Sequence, residues 1–247
     1  MIPYLERGIV IALTFTLHRL LMNTSLLKFP FLLDIHTHRL ATVPGESVQC
    51  VEPSAFAPIS GCYYSVGIHP WKAHEAFQDE ALWTLLEEIA VHPQVLAIGE
   101  AGLDKCALAP LAVQQTVFER QIALSEIVEK PLVIHAVKAM NELVVLKRRF
   151  RPRMPWIVHG FRNKESVARM LLNEGILLSF GARFPEAVVQ ALPASQLLVE
   201  TDESSESIQA VIARLAAVRG EPVDVLLPQL ATHARRIFFE RESCEFR

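Results

Sequence analysis

Short runs of apolar residues alternate with longer amphipathic stretches along most of this 247-residue chain. The short runs have the length of buried strands, and the stretches between them have the length and periodicity of helices. The predicted strands are residues 31–36, 47–52, 63–69, 95–100, 131–135, 156–159, 176–180 and 197–201. The predicted helices are residues 72–92, 111–130, 138–150, 163–173, 185–192, 206–219 and 222–240. Near-continuous apolar strands that alternate with helices favour a parallel sheet covered on both faces.

Eight strands and a chain of this length predict an α/β fold of the (β/α)8 TIM-barrel type. The link between the first two strands is short, because only residues 39–46 separate His38 from the strand at 47–52. A parallel crossover normally needs about a dozen residues or more, so the barrel is expected to be abbreviated in its first βα units. No linker-like composition divides the chain, which predicts one barrel domain over 29–241. We expect residues 1–28 to form an N-terminal extension and residues 242–247 a C-terminal tail.

Composition excludes several classes of protein. With 51% hydrophobic and 21% charged residues, the chain is unlike a disordered or low-complexity protein. Its net charge of −3 means that contact with nucleic acid would need a local basic patch. The four cysteines, Cys50, Cys62, Cys106 and Cys244, are widely spaced and predict free thiols in a reducing, cytoplasmic location. The apolar run at 9–17 is too short to span a bilayer and lacks a signal-peptide cleavage pattern, so no membrane association is expected.

Imidazoles and carboxylates recur at the carboxyl ends of the predicted strands. They are His36, His38, His69, Glu100, His135, His159 and Asp202. In a (β/α)8 barrel these ends converge on the face where active sites lie. Side chains alternate along a strand, so Asp34, His36 and His38 are expected to share a face. His36 and His38 could then bind one ion, while Asp34 could orient a ligand imidazole from behind.

Each of these residues has an ordinary explanation when it is taken alone. A histidine at a strand end is often a hydrogen-bonded core residue, and Glu100 or Asp202 could cap a helix. The set is more specific, because buried charged groups need a partner or a metal ion. The other four histidines are interpreted as surface or helix residues: His18, His74, His92 and His233.

The order of motifs resembles that of the TatD-type metal-dependent hydrolases over residues 31–240. The motifs are Asp34-Ile-His36-Thr-His38, Gly67-Ile-His69-Pro70, Ile98-Gly-Glu100-Ala-Gly-Leu103-Asp104, Val133-Ile-His135, Val158-His159-Gly-Phe161, Ser179-Phe180-Gly181 and Val199-Glu200-Thr201-Asp202. The resemblance implies a barrel of the amidohydrolase superfamily that binds two divalent metal ions (Zn²⁺, Mg²⁺, Mn²⁺ or similar). It also implies hydrolysis of phosphodiester bonds in nucleic acid, often as a deoxyribonuclease.

Carried over by position, the resemblance assigns His36, His38 and Asp202 to one metal ion and His135 and His159 to a second. It makes Glu100 the bridge between them. The implied catalytic residues are Glu100 and Asp202, with Asp202 orienting a water molecule and accepting its proton. His69 is implied to line the site.

The chain departs from the family pattern at a few places. They are Glu203 after Asp202, Gly160 after His159, Thr232-His233 near the last helix, and the short segment after His38. These departures leave the implied ligands intact but affect the walls of the pocket, and therefore the substrate.

Basic residues follow the predicted strand ends and could form a positive rim. They are Arg39, Lys72, Lys105, Lys138, Arg162, Lys164 and Arg183. We expect five of them, together with His69, to bind substrate: Arg39, Lys72, Lys138, Arg162 and Arg183. The alternative is that these cations are ordinary loop residues paired with Glu75, Asp104 or Glu203.

Trp71 could stack on a base, although a tryptophan that opens a helix more often packs against the protein. Two other functions stay open at this point. One is hydrolysis of a small ester or amide by the same metal centre, and the other is a non-catalytic metal-binding scaffold.

Overall fold

The computed structural model describes residues 32–40 and 43–240. Within them, eight parallel strands pair in chain order and close into a barrel, which confirms the predicted fold class. The strands are β1 Asp34–Thr37, β2 Ser47–Val51, β3 Tyr63–Val66, β4 Val95–Asp104, β5 Leu132–Val137, β6 Trp156–Val158, β7 Ile176–Phe180 and β8 Leu197–Val199. The predicted extension at 1–28 and tail at 242–247 lie outside the described residues, so these boundaries stay predictions.

Helices surround the barrel. They are α1 Ala73–Ala76, α2 Glu80–Ala90, α3 Leu111–Val128, α4 Met140–Phe150, α5 Glu165–Asn173, α6 Glu186–Ala191, α7 Ile208–Arg219 and α8 Val223–Phe238. Short 3-10 turns lie at Pro53–Ala55, Pro70–Lys72 and Ala194–Gln196. In the part of the chain that the structure covers, no helix has both the length and the apolar character needed to cross a membrane.

The prediction of one helix over 72–92 is wrong, because the chain forms two helices there. The Asp79 side chain accepts a hydrogen bond from the Leu82 amide at 3.0 Å and so caps the start of α2. Gly175, by contrast, follows α5 in the left-handed conformation (φ +68°), as its position after the predicted helix indicates.

The first part of the barrel is abbreviated, as predicted. The described residues between β1 and β2 contain no helix, and the link from β2 to β3 contains only the turn at Pro53–Ala55. β2 nevertheless pairs in parallel with both neighbours, with Thr37 opposite Gln49 and Cys50 opposite Ser65. The short links therefore still allow β2 to occupy its place in the barrel.

The interior of the barrel has an apolar floor beneath a polar layer. The floor contains Val48, Val133, Ile157, Leu177 and Leu198, which pack with Ala234 and Phe238 of α8. Two positions further along the same strands come Cys50, His135, His159, Ser179 and Glu200. Because side chains alternate along a strand, these residues face the same interior one layer higher. The floor supports stability, and the layer above it collects the polar groups.

Two of the histidines set aside by the sequence analysis lie at the opposite end of the barrel from this layer. His233 is half-buried in α8, and its Nδ1 donates to the Leu197 carbonyl at 3.0 Å. His92 follows α2 and packs edge-on against Phe56 at 5.2 Å between ring centroids. Both have packing roles. His74 is exposed in α1, and His18 lies outside the described residues.

Candidate metal centre

A bulge in β4 places Glu100 at the centre of the site. Ile98 pairs with Leu132 and Ala101 with Ile134, so β4 has one residue more than β5 over this stretch. Gly99 has φ +139°, and a Cβ there would lie 2.4 Å from the Val133 carbonyl oxygen. Only glycine permits this close approach of the two backbones. Beyond the bulge, Ala101 to Asp104 pair with Ile134 to Val137, so β4 continues past its predicted end at Glu100 to Asp104.

One oxygen of the Glu100 carboxylate faces a group of three imidazoles. Oε1 lies 2.7 Å from His159 Nε2, 2.8 Å from His135 Nδ1 and 3.2 Å from His69 Nε2. These imidazoles come from the ends of β6, β5 and the segment after β3, which meet because the barrel is closed. His69, predicted only to line the site, therefore contacts the same oxygen as the two predicted ligands.

The other oxygen of Glu100 faces the imidazoles of the first strand. Oε2 lies 3.5 Å from His36 Nε2 and 3.2 Å from His38 Nε2. Asp202 Oδ1 approaches the same two nitrogens at 3.8 and 3.6 Å. One buried carboxylate thus separates two sets of nitrogen donors.

Main-chain hydrogen bonds fix Asp202 beside β1. Its amide donates to the His36 carbonyl at 3.0 Å, and its carbonyl accepts from the His38 amide at 3.2 Å. Asp202 has φ +52°, a conformation that aspartate tolerates better than most residues. The closure of the barrel between β1 and β8 therefore holds this carboxylate against the two imidazoles.

The donor set fits divalent metal ions. His36 is fully buried, and neither of its ring nitrogens has a hydrogen-bond partner among the described residues. A buried imidazole without a partner is costly unless it has a ligand. Three groups have ligand atoms within 4.8 Å of one another: His36, His38, Cys50 and Glu100; His36, His159 and Asp202; and His69, Glu100 and His135. Imidazole and carboxylate donors of this kind suit Zn²⁺, Mn²⁺ and related ions.

The imidazoles and carboxylates of this cluster shift one another's pKa values strongly. Burial alone would raise the pKa of Glu100, but the imidazoles of His159 and His135 hold it well below its usual range. Burial alone would lower the pKa of His159, but the Glu100 carboxylate raises it well above its ordinary value. The hydrogen bond to Glu100 also raises the pKa of His38. Protons and metal ions therefore compete for the same nitrogens around an ionised carboxylate.

Glu200 is a functional candidate that the sequence analysis did not single out. It is fully buried, accepts from the Gly160 amide at 2.6 Å and has the same oxygen 3.7 Å from His159 Nδ1. Burial alone would raise the pKa of Glu200, but the His159 imidazole lowers it below its usual value. A carboxylate behind a ligand imidazole fixes the orientation of the ring. The sequence could have indicated Glu200, because it lies two residues before Asp202 and so is expected on the same face of the chain.

That orienting role was predicted for Asp34, and the prediction is wrong. Asp34 Oδ1 accepts from the Thr201 amide at 2.9 Å, and Oδ2 lies 2.6 Å from Thr201 Oγ1. Both contacts join β1 to the end of β8, so Asp34 holds the barrel closed instead of orienting an imidazole.

Cys50 was also missed. Its sulfur belongs to the donor group of His36, His38 and Glu100, although the spacing of the cysteines gave no sign of a ligand. Burial raises the pKa of its thiol to about 12. The available signal was its position two residues after Val48 in the predicted strand at 47–52.

Trp71 stands at the mouth of the site. Its side chain is 65% exposed, so the expectation that it packs against the protein is wrong. The indole Nε1 donates to Asp104 Oδ2 at 2.7 Å, and the ring lies edge-on to His69 at 4.8 Å. Asp104 Oδ2 is also 3.3 Å from His135 Nε2. The tryptophan is thus held in place by its edge, with much of the ring open to solvent.

The basic residues of the rim are all exposed. Arg162 Nη2 lies 3.9 Å from Asp202 Oδ2, which brings this cation directly to the site. Lys72 approaches Glu75 at 3.7 Å, as the alternative interpretation expects, and Lys105 pairs with Glu142. Arg39 donates to the Glu206 carbonyl at 2.8 Å. Lys138, Lys164 and Arg183 have no ion pair with any other described residue, and no ion pair joins a rim cation to Asp104 or Glu203 in the same part of the chain.

Comparison with known proteins identifies a matching family and several similar proteins. The profile of the family described as TatD related DNase matches residues 41–239. The "uncharacterized metal-dependent hydrolase YabD" of Bacillus subtilis is 35% identical over 149 residues, which are 57% of this chain and 58% of that protein. The matched region is thus little more than half the length of that relative. The "3'-5' ssDNA/RNA exonuclease TatD" of Edwardsiella piscicida is 28% identical over 201 residues, 77% of this chain and 75% of that protein.

The crystal structure of YJJV, a TatD homolog from Escherichia coli K12, superposes with a TM-score of 0.71. The two chains are 21% identical, and the match covers 84% of this chain and 98% of that one, which shows a common fold. The family profile spans most of the barrel and includes four of the six predicted metal ligands, while His36 and His38 precede the matched region. The chain therefore belongs to the TatD-related DNase family, as the order of its motifs indicates.

Proposed function

We propose that the protein is a hydrolase that uses two divalent metal ions to cleave phosphodiester bonds in nucleic acid. The observation that carries the proposal is the Glu100 carboxylate, whose two oxygens face two different groups of imidazoles. Two ions that share one carboxylate are a recurring arrangement in enzymes that hydrolyse phosphate esters. Membership of the TatD-related DNase family and the exonuclease name of the Edwardsiella relative support the same substrate class.

We assign one ion to His36, His38 and Asp202 and the second to His135 and His159, with Glu100 between them. When bound, the ions supply a water nucleophile of lowered pKa and neutralise charge on the phosphoryl oxygens. The chemistry of the donors allows Zn²⁺, Mn²⁺ or Mg²⁺.

Asp202 is proposed as the residue that orients the attacking water and accepts its proton. Its side chain is 23% exposed, so a substrate entering from the mouth can reach it. Oδ1 faces His36 and His38, while Oδ2 faces Arg162. An arginine at this position can hold a phosphate oxygen close to the base, since a guanidinium binds phosphate through paired hydrogen bonds.

The mouth of the barrel suits a single-stranded polyanion. The exposed face of Trp71 is available to stack on a base, and aromatic platforms of this kind bind single strands with little sequence preference. We propose that the exposed rim cations attract the phosphate backbone. The net charge of the whole chain is negative, so this attraction has to be local. The substrate-binding set is His69, Arg39, Lys72, Lys138, Arg162 and Arg183. The cytoplasmic location inferred from the cysteines stays a prediction.

A substrate panel tests this function. Protein stripped with EDTA and reloaded with single divalent metals is assayed on end-labelled single-stranded DNA, RNA, bis-nitrophenyl phosphate and aryl esters. We expect phosphodiester turnover that chelation abolishes and a divalent metal restores. Turnover of esters alone would support the ester or amide alternative. No activity on any substrate with any divalent metal would support the non-catalytic scaffold.

Asp202→Asn tests the assignment of the base. We expect this variant to keep its thermal transition and lose roughly 10²–10⁴-fold in turnover, the range that general-base groups contribute. Asp224→Asn is the matched control, because it makes the same substitution at an exposed carboxylate in the first turn of α8 and should leave turnover unchanged. Full activity of Asp202→Asn would remove Asp202 from the mechanism.

A further inference from the structure

We infer that the sulfur of Cys50 is a ligand of the metal ion on the His36–His38 side of Glu100, which makes this half of the centre a mixed nitrogen, oxygen and sulfur site. The inference rests on the metal centre proposed above and adds a ligand of a different chemical class to it.

The position of Cys50 in the barrel supports this assignment. It is the fourth of the five residues of β2, the strand beside β1, and lies two residues after Val48 of the apolar floor. Alternation along the strand therefore turns its side chain into the polar layer of the interior. There its sulfur, the ligand nitrogens of His36 and His38, and a Glu100 oxygen all lie within 4.8 Å of one another. Donors from β2, β4 and the carboxyl end of β1 thus surround one small volume.

A second observation points to a ligand in that volume. The His36 imidazole is fully buried, and neither of its nitrogens has a hydrogen-bond partner among the residues that the structure describes. Without an ion this imidazole is left unsatisfied in the core of the barrel, and the Cys50 sulfur is among the donors within 4.8 Å of its ligand nitrogen. A metal ion held jointly by the imidazole and the sulfur satisfies that nitrogen. Small movements bring such donors to the roughly 2.0–2.3 Å from Zn²⁺ that nitrogen and sulfur ligands adopt.

The other cysteines in the described part of the chain are placed differently. Cys62 packs in the apolar cluster outside the barrel wall, and Cys106 is exposed in the turn after β4. Cys50 alone among these three belongs to a group of candidate ligands. Substitution of Cys62 or Cys106 therefore removes a thiol from the protein without changing the proposed ligands, and serves as a control.

A sulfur ligand changes which metal ion the site prefers. Thiolates favour Zn²⁺, Co²⁺ and other borderline or soft ions, whereas Mg²⁺ prefers oxygen ligands. On binding, the Cys50 S–H bond breaks, a sulfur–metal bond forms and the proton leaves to solvent, so no oxidant or reductant takes part. We therefore expect the two halves of the centre to differ, with the Cys50 half holding Zn²⁺ or Co²⁺ far more tightly than Mg²⁺.

Cobalt spectroscopy tests the inference directly. Metal-stripped, reduced full-length protein is titrated with Co²⁺ without oxygen, and the absorption spectrum is recorded. A sulfur ligand gives an intense near-ultraviolet charge-transfer band, in addition to the weaker visible bands of any bound Co²⁺. We expect the near-ultraviolet band in the wild type and in the control variants Cys62→Ser, Cys106→Ser and Cys244→Ser. We expect it to be lost in Cys50→Ser and Cys50→Ala, with the visible bands retained.

Competition with a chelator gives a second measurement. Cys50→Ser should weaken Zn²⁺ binding at least about tenfold, the smallest effect typical of losing even an outer partner of a metal site. Its effect on Mg²⁺ binding should be much smaller. A wild-type spectrum without the near-ultraviolet band overturns the inference even if no variant folds, and so does an equal loss of affinity for Zn²⁺ and Mg²⁺.

These outcomes separate the inference from the proposed function. The band in a protein without nuclease activity supports the sulfur ligand and contradicts the nuclease. Metal-dependent nuclease activity with no band overturns the sulfur ligand alone. Failure to bind Co²⁺, Zn²⁺, Mn²⁺ or Mg²⁺ overturns both.

Discussion

The buried carboxyl group of Asp34 makes the stability of the barrel depend on pH. It is 5% exposed, and burial raises its pKa from 3.8 to about 7. In the unfolded chain the group returns to its ordinary value, so between these pH values the folded protein binds more protons than the unfolded one. Stability is therefore greatest below the unfolded pKa and falls as the pH rises through the folded value.

The size of the effect follows from the shift. A change of about 3 pKa units corresponds to about 4 kcal/mol over the whole window, and the part between pH 5 and pH 8 amounts to about 2–3 kcal/mol. Asp34→Asn should remove this dependence and keep the contacts. The amide oxygen still accepts from the Thr201 amide. The Thr201 hydroxyl, which donates to Asp34 Oδ2 in the wild type, can instead accept from the amide nitrogen and donate to Thr37 Oγ1 at 2.8 Å.

Urea denaturation of both proteins at several pH values between 5 and 8, with a chelator present, measures the difference. The chelator is needed because bound metal ions would stabilise the folded state by mass action. Titration of the histidines is common to both proteins and cancels in the difference between them. We expect the wild type to lose about 2–3 kcal/mol relative to Asp34→Asn from pH 5 to pH 8. A difference that stays constant over this range would refute the reasoning.

Three further changes test the surroundings of the metal centre. Glu200→Gln removes the carboxylate beside His159 Nδ1 and should weaken metal binding roughly 10–100-fold in a competition titration; unchanged affinity would mean that the ring is fixed by other contacts. Trp71→Ala should weaken binding of a single-stranded oligonucleotide by about 1–3 kcal/mol in fluorescence anisotropy, whereas Phe77→Ala removes another exposed aromatic ring and should have little effect. Equal losses in these two variants would argue against stacking. Arg162→Ala should reduce the slope of log affinity against log salt concentration by about 0.7, the value for one phosphate contact on a single strand, and an unaltered slope would place Arg162 away from the backbone.

The sequence predicts the fold well, because burial and periodicity determine most of it. Parallel strands covered by helices need apolar runs, and these runs mark seven of the strands clearly and the strand at 47–52 more weakly. The errors lie where local contacts override the pattern. Asp79 caps a new helix inside the amphipathic stretch at 72–92, and β4 continues past the bulge after Ile98 to Asp104. Neither feature changes the spacing of apolar residues, so periodicity alone could not reveal it.

The candidate site is predictable where chemistry coincides with strand ends. The histidines and carboxylates singled out from the sequence do come together around Glu100, although their roles as ligands stay proposals. The partner of Asp34 was not predictable in this way. Thr201 lies 167 positions away and meets Asp34 only because the last strand closes on the first. Cys50 was missed because its strand is short and partly polar, so its inward direction depends on a register that the sequence does not specify.

The alternation of floor and polar layer on the same strands limits which mutations this protein can tolerate. Deleting one residue within β5 would rotate His135 to the outside of the barrel and turn apolar neighbours toward the metal ions. A shift of this kind would disturb catalysis and folding in a single step. Changes in length are therefore tolerable in the connecting loops, such as the short one after β1, whereas the strands can vary only by exchanging one side chain for another.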